Sequence, residues 1–399
     1  MYRLKNHIYK YYHLEIPFAV WVIHLLIIFF FLPGEPLKDE RIFYDVAVSF
    51  KNIPQALSLA FLKTYESPQT PLSFYLAGLI LNIRQSIFLL RLSDSVMVFL
   101  TLVIFSKSLR ALLPKRPGLS IYLISVFLLN PYLHFIGVLF YTDTLYLLCV
   151  SAIIYSFIKN KNGIVYYLTL FAAPLIRQFG IIYAAGNAAA SLKKRETFLN
   201  KELIFSLLSM SGLIFFMLFW NGTMPKNSFM QSNNRIREVF GQIFAYVPAY
   251  HLSALGFYLS PIIIYYLNKI YKSRTFLAGS LLGGIFYIIA PARQNYSTIL
   301  LQPYNTTLGF YHKLMIWLFH DPYYHIVLFL FSSVAGGWIL HLSVSRKIPL
   351  VFKLWIGLFL IMSFFNLQAW DKYLLDIQAV ILAAFAFFLN VDQPEAEYK

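Results

Sequence analysis

Cysteine is nearly absent: Cys149 is the only one in 399 residues. No intrachain disulfide can form, and no cysteine-based metal site exists. Charge is scarce as well, with 13% Asp, Glu, Lys and Arg, about half of the ~25% usual in soluble domains. The phosphate-cradling GxxxxGK[ST] loop, the GxGxxG dinucleotide turn and the HExxH zinc helix are all missing, which removes the chemistries those motifs carry. No convincing internal repeat runs along the chain, and this weakens a transporter built from paired halves.

What is present is apolar surface. Hydrophobic residues make up 59% and aromatics 19%, and the mean hydropathy is +0.63. Apolar runs recur near membrane-spanning length, so the sequence predicts an all-α polytopic membrane protein. The spans read as 16–33, 86–106, 119–136, 143–158, 163–176, 178–191, 203–220, 247–267, 275–291, 324–344, 350–366 and 373–390, a bundle of about 11–13 transmembrane helices in one integral membrane domain, 1–399. The first run reads as an anchor rather than a cleaved leader. "SPQTPLSFYLAGLILN" (67–82), with its two prolines, suits a helix lying at the interface. Glycines in "GGIFYIIAPARQ" and "AGGWIL" read as helix-packing positions.

The net charge of +16 does not indicate a nucleic-acid partner. The basic residues sit in short loops: Lys107, Arg110, Lys115 and Arg116 in one, Lys269, Lys272 and Arg274 in another. Short positive loops mark the cytoplasmic side. The acidic residues then collect on the other side, densest in the first outer loop, 34–85. "GEPLKDERIFYD" holds Glu35, Asp39, Glu40 and Asp45. Charged groups at membrane depth are costly and point to function, so the chemistry is expected on the non-cytoplasmic face.

Each candidate has two readings. Asp39 and Glu40 are either a general base toward a hydroxyl or an ordinary solvated loop. In "FYTDT", Thr142 or Asp143 caps a helix, or Asp143 is a second carboxylate facing the first. Arg177 of "PLIRQFG" requires an anion: a lipid phosphate, which a guanidinium binds bidentately, or an internal salt bridge to Asp143 or the first loop. "LFHDPYYH" brings His320, Asp321, Tyr324 and His325; the pattern lacks the i, i+4 His pair of a zinc helix, and binding sugar hydroxyls or lining the interface fits better. In "QAWDKYLLD", Trp370 and Tyr373 fit interfacial anchors, and Lys372 is a phosphate ligand candidate.

These stretches, in this order, resemble the GT-C glycosyltransferases, and within them the dolichyl-phosphate-glucose alpha-1,2-glucosyltransferase family. "EPLKDERIF" is similar to that family's first-loop motif at Glu35, Pro36, Asp39 and Glu40. "SPQTPLSFYL" matches at Thr70 and Pro71, "FYTD" at Tyr141, Thr142 and Asp143, and "RQFGIIY" at Arg177 and Gln178. "HDPYYH" and "AWDKYLL" are looser matches, with Lys372 where the family has an arginine. The resemblance implies a GT-C-like fold with interfacial helices in the first outer loop. It implies transfer of a hexose, glucose by family, from a polyprenyl- or dolichyl-phosphate sugar to a glycan or lipid-linked acceptor, with inversion. Asp39, Glu40 and Asp143 are then catalytic. Arg177, Gln178 and Lys372 bind the donor phosphate, and Glu35, Tyr141, Asp321, His325 and Tyr373 contact substrate. No cofactor and no metal is called for, and the partners are membrane lipid, the lipid-linked donor and the acceptor. The compartment is a bacterial plasma membrane or an endoplasmic reticulum membrane, with the site outside or lumenal. A flippase for lipid-linked sugars, or a GT-C enzyme using mannose or aminoarabinose, stays as the alternative.

Overall fold

The structure is a computed structural model. It describes residues 2–159, 163–193, 200–228, 244–291, 309–365 and 371–390, with the side chains of 2–8, 38, 39 and 371 outside the described set. Among the described residues every regular element is a helix. The chain forms two compact units, Met1–Ala111 with Leu133–Gly241, and Leu112–Tyr132 with Gln242–Lys399.

The first unit opens with α1 (Tyr2–Phe30). Four helices follow in the region expected to be the first outer loop: α2 (Lys38–Ser49), α3 (Ile53–Ala56), α4 (Leu59–Thr64) and α5 (Leu72–Ile83). They pack around Phe50, which is fully buried; the rings of Phe61, Tyr65, Phe74 and Tyr75 lie 4.9–5.6 Å from it. Gly78 of α5 lets the helix approach, because a Cβ there would stand 2.6 Å from the Phe50 carbonyl oxygen. α5 has 12 residues, ~18 Å at 1.5 Å per residue, too short to cross a ~30 Å core alone.

After α6 (Ile87–Leu112) comes α7 (Pro117–Leu128), which belongs to the second unit; the first unit then resumes through α8 (Pro131–Val138), α9 (Asp143–Ile158), α10 (Ile164–Ile176), α11 (Ile181–Lys193) and α12 (Lys201–Trp220). The expected span 119–136 is thus interrupted. Pro131 has no N–H to donate and disfavours helical backbone at Asn130. Asn130 is buried and donates from Nδ2 to Gln378 Oε1 at 2.9 Å.

The second unit continues with α13 (Tyr246–Tyr258), α14 (Ser260–Ile270), α15 (Arg274–Ile289), α16 (Phe310–Phe319), α17 (Tyr324–Val344), α18 (Leu350–Ser363) and α19 (Leu375–Asn390). The expected span 247–267 is also broken, and its halves α13 and α14 meet at 85°. Pro261 near the start of α14 would clash with the carbonyl four residues back if the helix ran on. α19 is apolar beyond Asp376 and Gln378 in its first turn and is buried over 83% of its span window, against 22% for α1. The first is the enclosed core of its unit; the second leaves Phe18, Phe29 and Phe30 exposed, as a lipid-facing helix does.

By length and composition, five helices among the described residues suffice to cross a membrane, or up to seven if each bent pair is one span. These support an integral multi-pass membrane protein. The count falls below the expected 11–13 because α9, α10, α15 and α18 are helices of 13–16 residues, ~20–24 Å long.

The packing glycines are a seam between α15 and α17. A Cβ at Gly279 would lie 2.5 Å from the Gly336 oxygen, and one at Gly283 would lie 2.5 Å from the Ser332 oxygen. Ser332 Oγ donates to the Gly283 carbonyl at 3.0 Å. Small residues four apart on both helices let the backbones touch. Gly357 in α18 has open space around its Cβ position. One substitution therefore has opposite effects at two sites. Gly279→Ala is expected to lower stability by ~1–3 kcal/mol through overpacking, whereas Gly357→Ala raises it by ~0.4–1 kcal/mol through the unfolded chain. Thermal unfolding of the detergent-solubilised protein measures both.

Candidate functional site

α6 carries Arg91 and Asp94, one helical turn apart and each 1% exposed. Arg91 Nε and Nη2 bind the Glu40 carboxylate at 2.8 and 2.6 Å. Nη1 donates to the Pro33 carbonyl at 2.5 Å, and Nη2 also donates to the Glu35 carbonyl at 3.0 Å. Glu40 stands at the third position of α2. It reaches back to accept from the Leu37 N–H at 3.0 Å, the carboxylate half of a capping box. Its Oε1 accepts a fourth bond, from the Phe140 N–H at 2.9 Å. A buried ion pair is tolerable only when its remaining donors and acceptors are satisfied, and here the carboxylate has four partners.

The Phe140–Thr142 corner leads into α9. Its next amide, Tyr141 N–H, donates to Asp94 Oδ2 at 2.7 Å. The Thr144 hydroxyl donates to the Tyr141 carbonyl at 2.9 Å, and Tyr141 is wedged between the rings of Phe43 and Phe135. Thr142 occupies the N-cap of α9 without a side-chain cap bond, and Asp143 is the acid of the first turn, where the helix dipole favours a negative charge.

Asp143 is ion-paired with Arg177, and both are buried. Asp143 Oδ2 is buried and has no hydrogen-bond partner among the described residues. Arg177 stands at the C-cap of α10 in extended backbone. The chain then turns so tightly that a Cβ on Gly180 would meet the Ala173 carbonyl carbon at 2.3 Å. Gln178 Nε2 donates to the carbonyls of Pro68 and Thr223, and the Thr70 hydroxyl donates to the Pro174 carbonyl at 3.2 Å. The "SPQTP" and "RQFG" stretches are therefore bonded to each other. Beside the corner lies a narrow gap, with room for about one water molecule. Ser73, Ser93, Asp94, Thr142 and Thr144 supply its polar wall. Ser73 Oγ and Thr142 Oγ1 are buried there without a hydrogen-bond partner among the described residues.

The structure thus brings Glu40, Tyr141, Asp143, Arg177 and Gln178 into the first unit. Arg177 has taken the internal salt bridge among its two expected partners. Asp39 is on the first turn of α2, and its side chain lies outside the described residues. The Glu35 side chain is exposed; its backbone carbonyl is what Arg91 uses. The remaining candidates belong to the second unit. His325 Nδ1 is 2.9 Å from the Tyr287 hydroxyl, and its ring stacks on Tyr324. Asp321 is exposed and follows His320, whose φ is 56°. Burial, with His325 nearby, pushes the His312 imidazole down to about 4. Lys372 sits in the 3-10 turn Asp371–Leu374 with its ammonium over the Tyr373 ring at 5.7 Å. Among the described residues no group of three or more His, Cys, Asp or Glu could hold a metal ion.

Arg91 and Asp94 are missing from the sequence-derived set. The signal was on the page: "LLRLSDS" puts two opposite charges three residues apart inside an apolar span, and such charges are expected to pair. No family model, no curated protein and no solved structure matches the chain.

Removing Arg91 leaves the Glu40 carboxylate buried without its cation. Arg91→Ala is expected to cost ~3–5 kcal/mol, while Glu35→Gln stays within ~0.5 kcal/mol, as for an exposed side chain. Chemical denaturation followed by Trp fluorescence separates the two.

Proposed function

We propose that the chain is a membrane glycosyltransferase of the GT-C type. It moves a hexose, glucose by resemblance, from a polyprenyl- or dolichyl-phosphate sugar to a glycan or lipid-linked acceptor on the non-cytoplasmic face. The observation that carries this reading is the buried Asp143–Arg177 pair, in which one carboxylate oxygen has no hydrogen-bond partner among the described residues. Such a pair has two uses in this reaction. A lipid phosphate competes with Asp143 for the guanidinium, which binds phosphate in fork geometry. Asp143, released, can accept a proton.

The acceptor hydroxyl attacks the anomeric carbon from the face opposite the phosphate. The new C–O bond forms as the bond from carbon to phosphate oxygen breaks. The hydroxyl proton passes to a carboxylate, and Arg177 stabilises the charge gathering on the departing phosphate. Asp39 and Asp143 are the two candidates for the base; Glu40, with four bonds already made, holds the loop. The reading assigns no metal and no cofactor. Lys372 remains the phosphate ligand that the resemblance names in the second unit. The short apolar helices α9, α10, α15 and α18, added to the long ones, support the larger GT-C-like span count.

A flippase for the same lipid is the second reading. The 85° break between α13 and α14 favours it, since discontinuous helices build transporter sites.

The test is sugar transfer from synthetic polyprenyl-phosphate-glucose by purified protein in nanodiscs, with a lipid and glycan extract of the source membrane as acceptor. Wild type is expected to transfer, and the folded Asp39→Asn or Asp143→Asn protein is expected to lose ~10²–10⁴-fold in rate, the range for a general base. Tight lipid binding without transfer, for every polyprenyl-phosphate sugar tried, would establish the flippase instead.

A further inference from the structure

We infer that Arg91 and Asp94 are positioning residues for the Asp143–Arg177 pair, acting through the backbone of the Phe140–Thr142 corner; this rests on the function proposed above. Phe140 and Tyr141 are both buried, precede α9 and have no helical acceptor. Unmet, each buried N–H would cost ~1–3 kcal/mol. The first is met by Glu40 at 2.9 Å and the second by Asp94 at 2.7 Å. Glu40 holds its charge in the interior because Arg91 pairs with it through two nitrogens.

The two side chains of α6 therefore grip the corner at adjacent peptide units, one directly and one through Glu40. Both bonds end on a buried carboxyl oxygen, and the Glu40 one is charge-assisted through Arg91. Asp143 follows two residues after the second gripped amide, so its Cα is set by α6. Reacting groups displaced by ~1 Å lose on the order of 10²-fold in rate, which makes a fixed corner part of the catalytic geometry. The Asp94 carboxyl bonds the Tyr141 N–H and the Thr144 side chain, so both of these contacts run to the corner and the first turn of α9.

A substitution series separates this role from a catalytic one. Asp94→Asn keeps a side-chain oxygen to accept from Tyr141, and Asp94→Ala does not. Hydrogen exchange at the Phe140 and Tyr141 amides is measured alongside kcat and KM for polyprenyl-phosphate-glucose in nanodiscs. Asp94→Asn is expected to keep the amides protected and to stay within ~3-fold of wild-type kcat. Asp94→Ala is expected to exchange at least ~10-fold faster, the cost of leaving one buried N–H unsatisfied, with kcat down at least ~10-fold. Arg91→Lys carries the same test should Asp94→Ala not fold: an ammonium cannot span the Glu40 carboxylate and two carbonyls. Its kcat is expected to fall ~10-fold and the pH dependence of kcat to shift, since Asp143 moves relative to Arg177; a loss of folded protein alone would leave that profile in place. Asp94→Asn as inactive as Asp94→Ala, unchanged exchange in Asp94→Ala, or faster exchange at wild-type kcat would each overturn the inference. Absence of transfer by wild type would instead sink the proposed function.

Discussion

A guanidinium removed from water loses several kcal/mol of hydration that only fixed oxygens can replace. Arg91 finds four such contacts: two on the Glu40 carboxylate and one each on the Pro33 and Glu35 carbonyls. All come from a stretch of eight residues, so one buried cation determines the path of the chain as it leaves α1 and enters α2. The first unit depends on this. The capping contact at Leu37, the start of α2 and the corner before α9 all share oxygens of the same carboxylate.

The remaining polar contacts of the site extend the pattern. Gln178 and Thr70 tie the approach to α5 to the turn after α10, and Asp94 and Glu40 tie α6 and α2 to the corner. Five segments distant in sequence are tied by side-chain-to-backbone bonds, with the Asp143–Arg177 pair among them. Under the proposed function, a carboxylate and a guanidinium held on such supports would need little reorganisation when a lipid phosphate arrives.

Helicity and membrane character were legible in composition and apolar run length, because both follow from the lack of hydrogen-bonding partners in lipid. The glycine seam was legible as well, since a run such as "GGIF" or "AGGW" within an apolar helix has packing as its main use. The breaks after α7 and α13 could have been read from Pro131 and Pro261; apolar content alone carried the spans past them. In the site, "FYTD" and "RQ" stood out because they interrupt apolar runs. Arg91 and Asp94 did not, because the apolar residues of α6 outweigh two charged ones in any helix-length average. Which side chain pairs with Glu40 is a matter of tertiary structure, and no spacing rule connects positions 40 and 91.

The Glu40 carboxylate has a consequence for how the protein is made. Its partner Arg91 lies 51 positions downstream, and the Phe140 amide lies 100 positions downstream. At elongation rates of ~5–20 residues per second, roughly 3–10 s pass before the ribosome adds the first and roughly 5–20 s before it adds the second. Through that interval Glu40 has only water and the Leu37 amide to bind. α2 and the chain before it cannot settle until α6 and then the corner have been inserted. The segment that follows α1 thus waits for about a hundred further residues of synthesis before its last carboxylate bond can form.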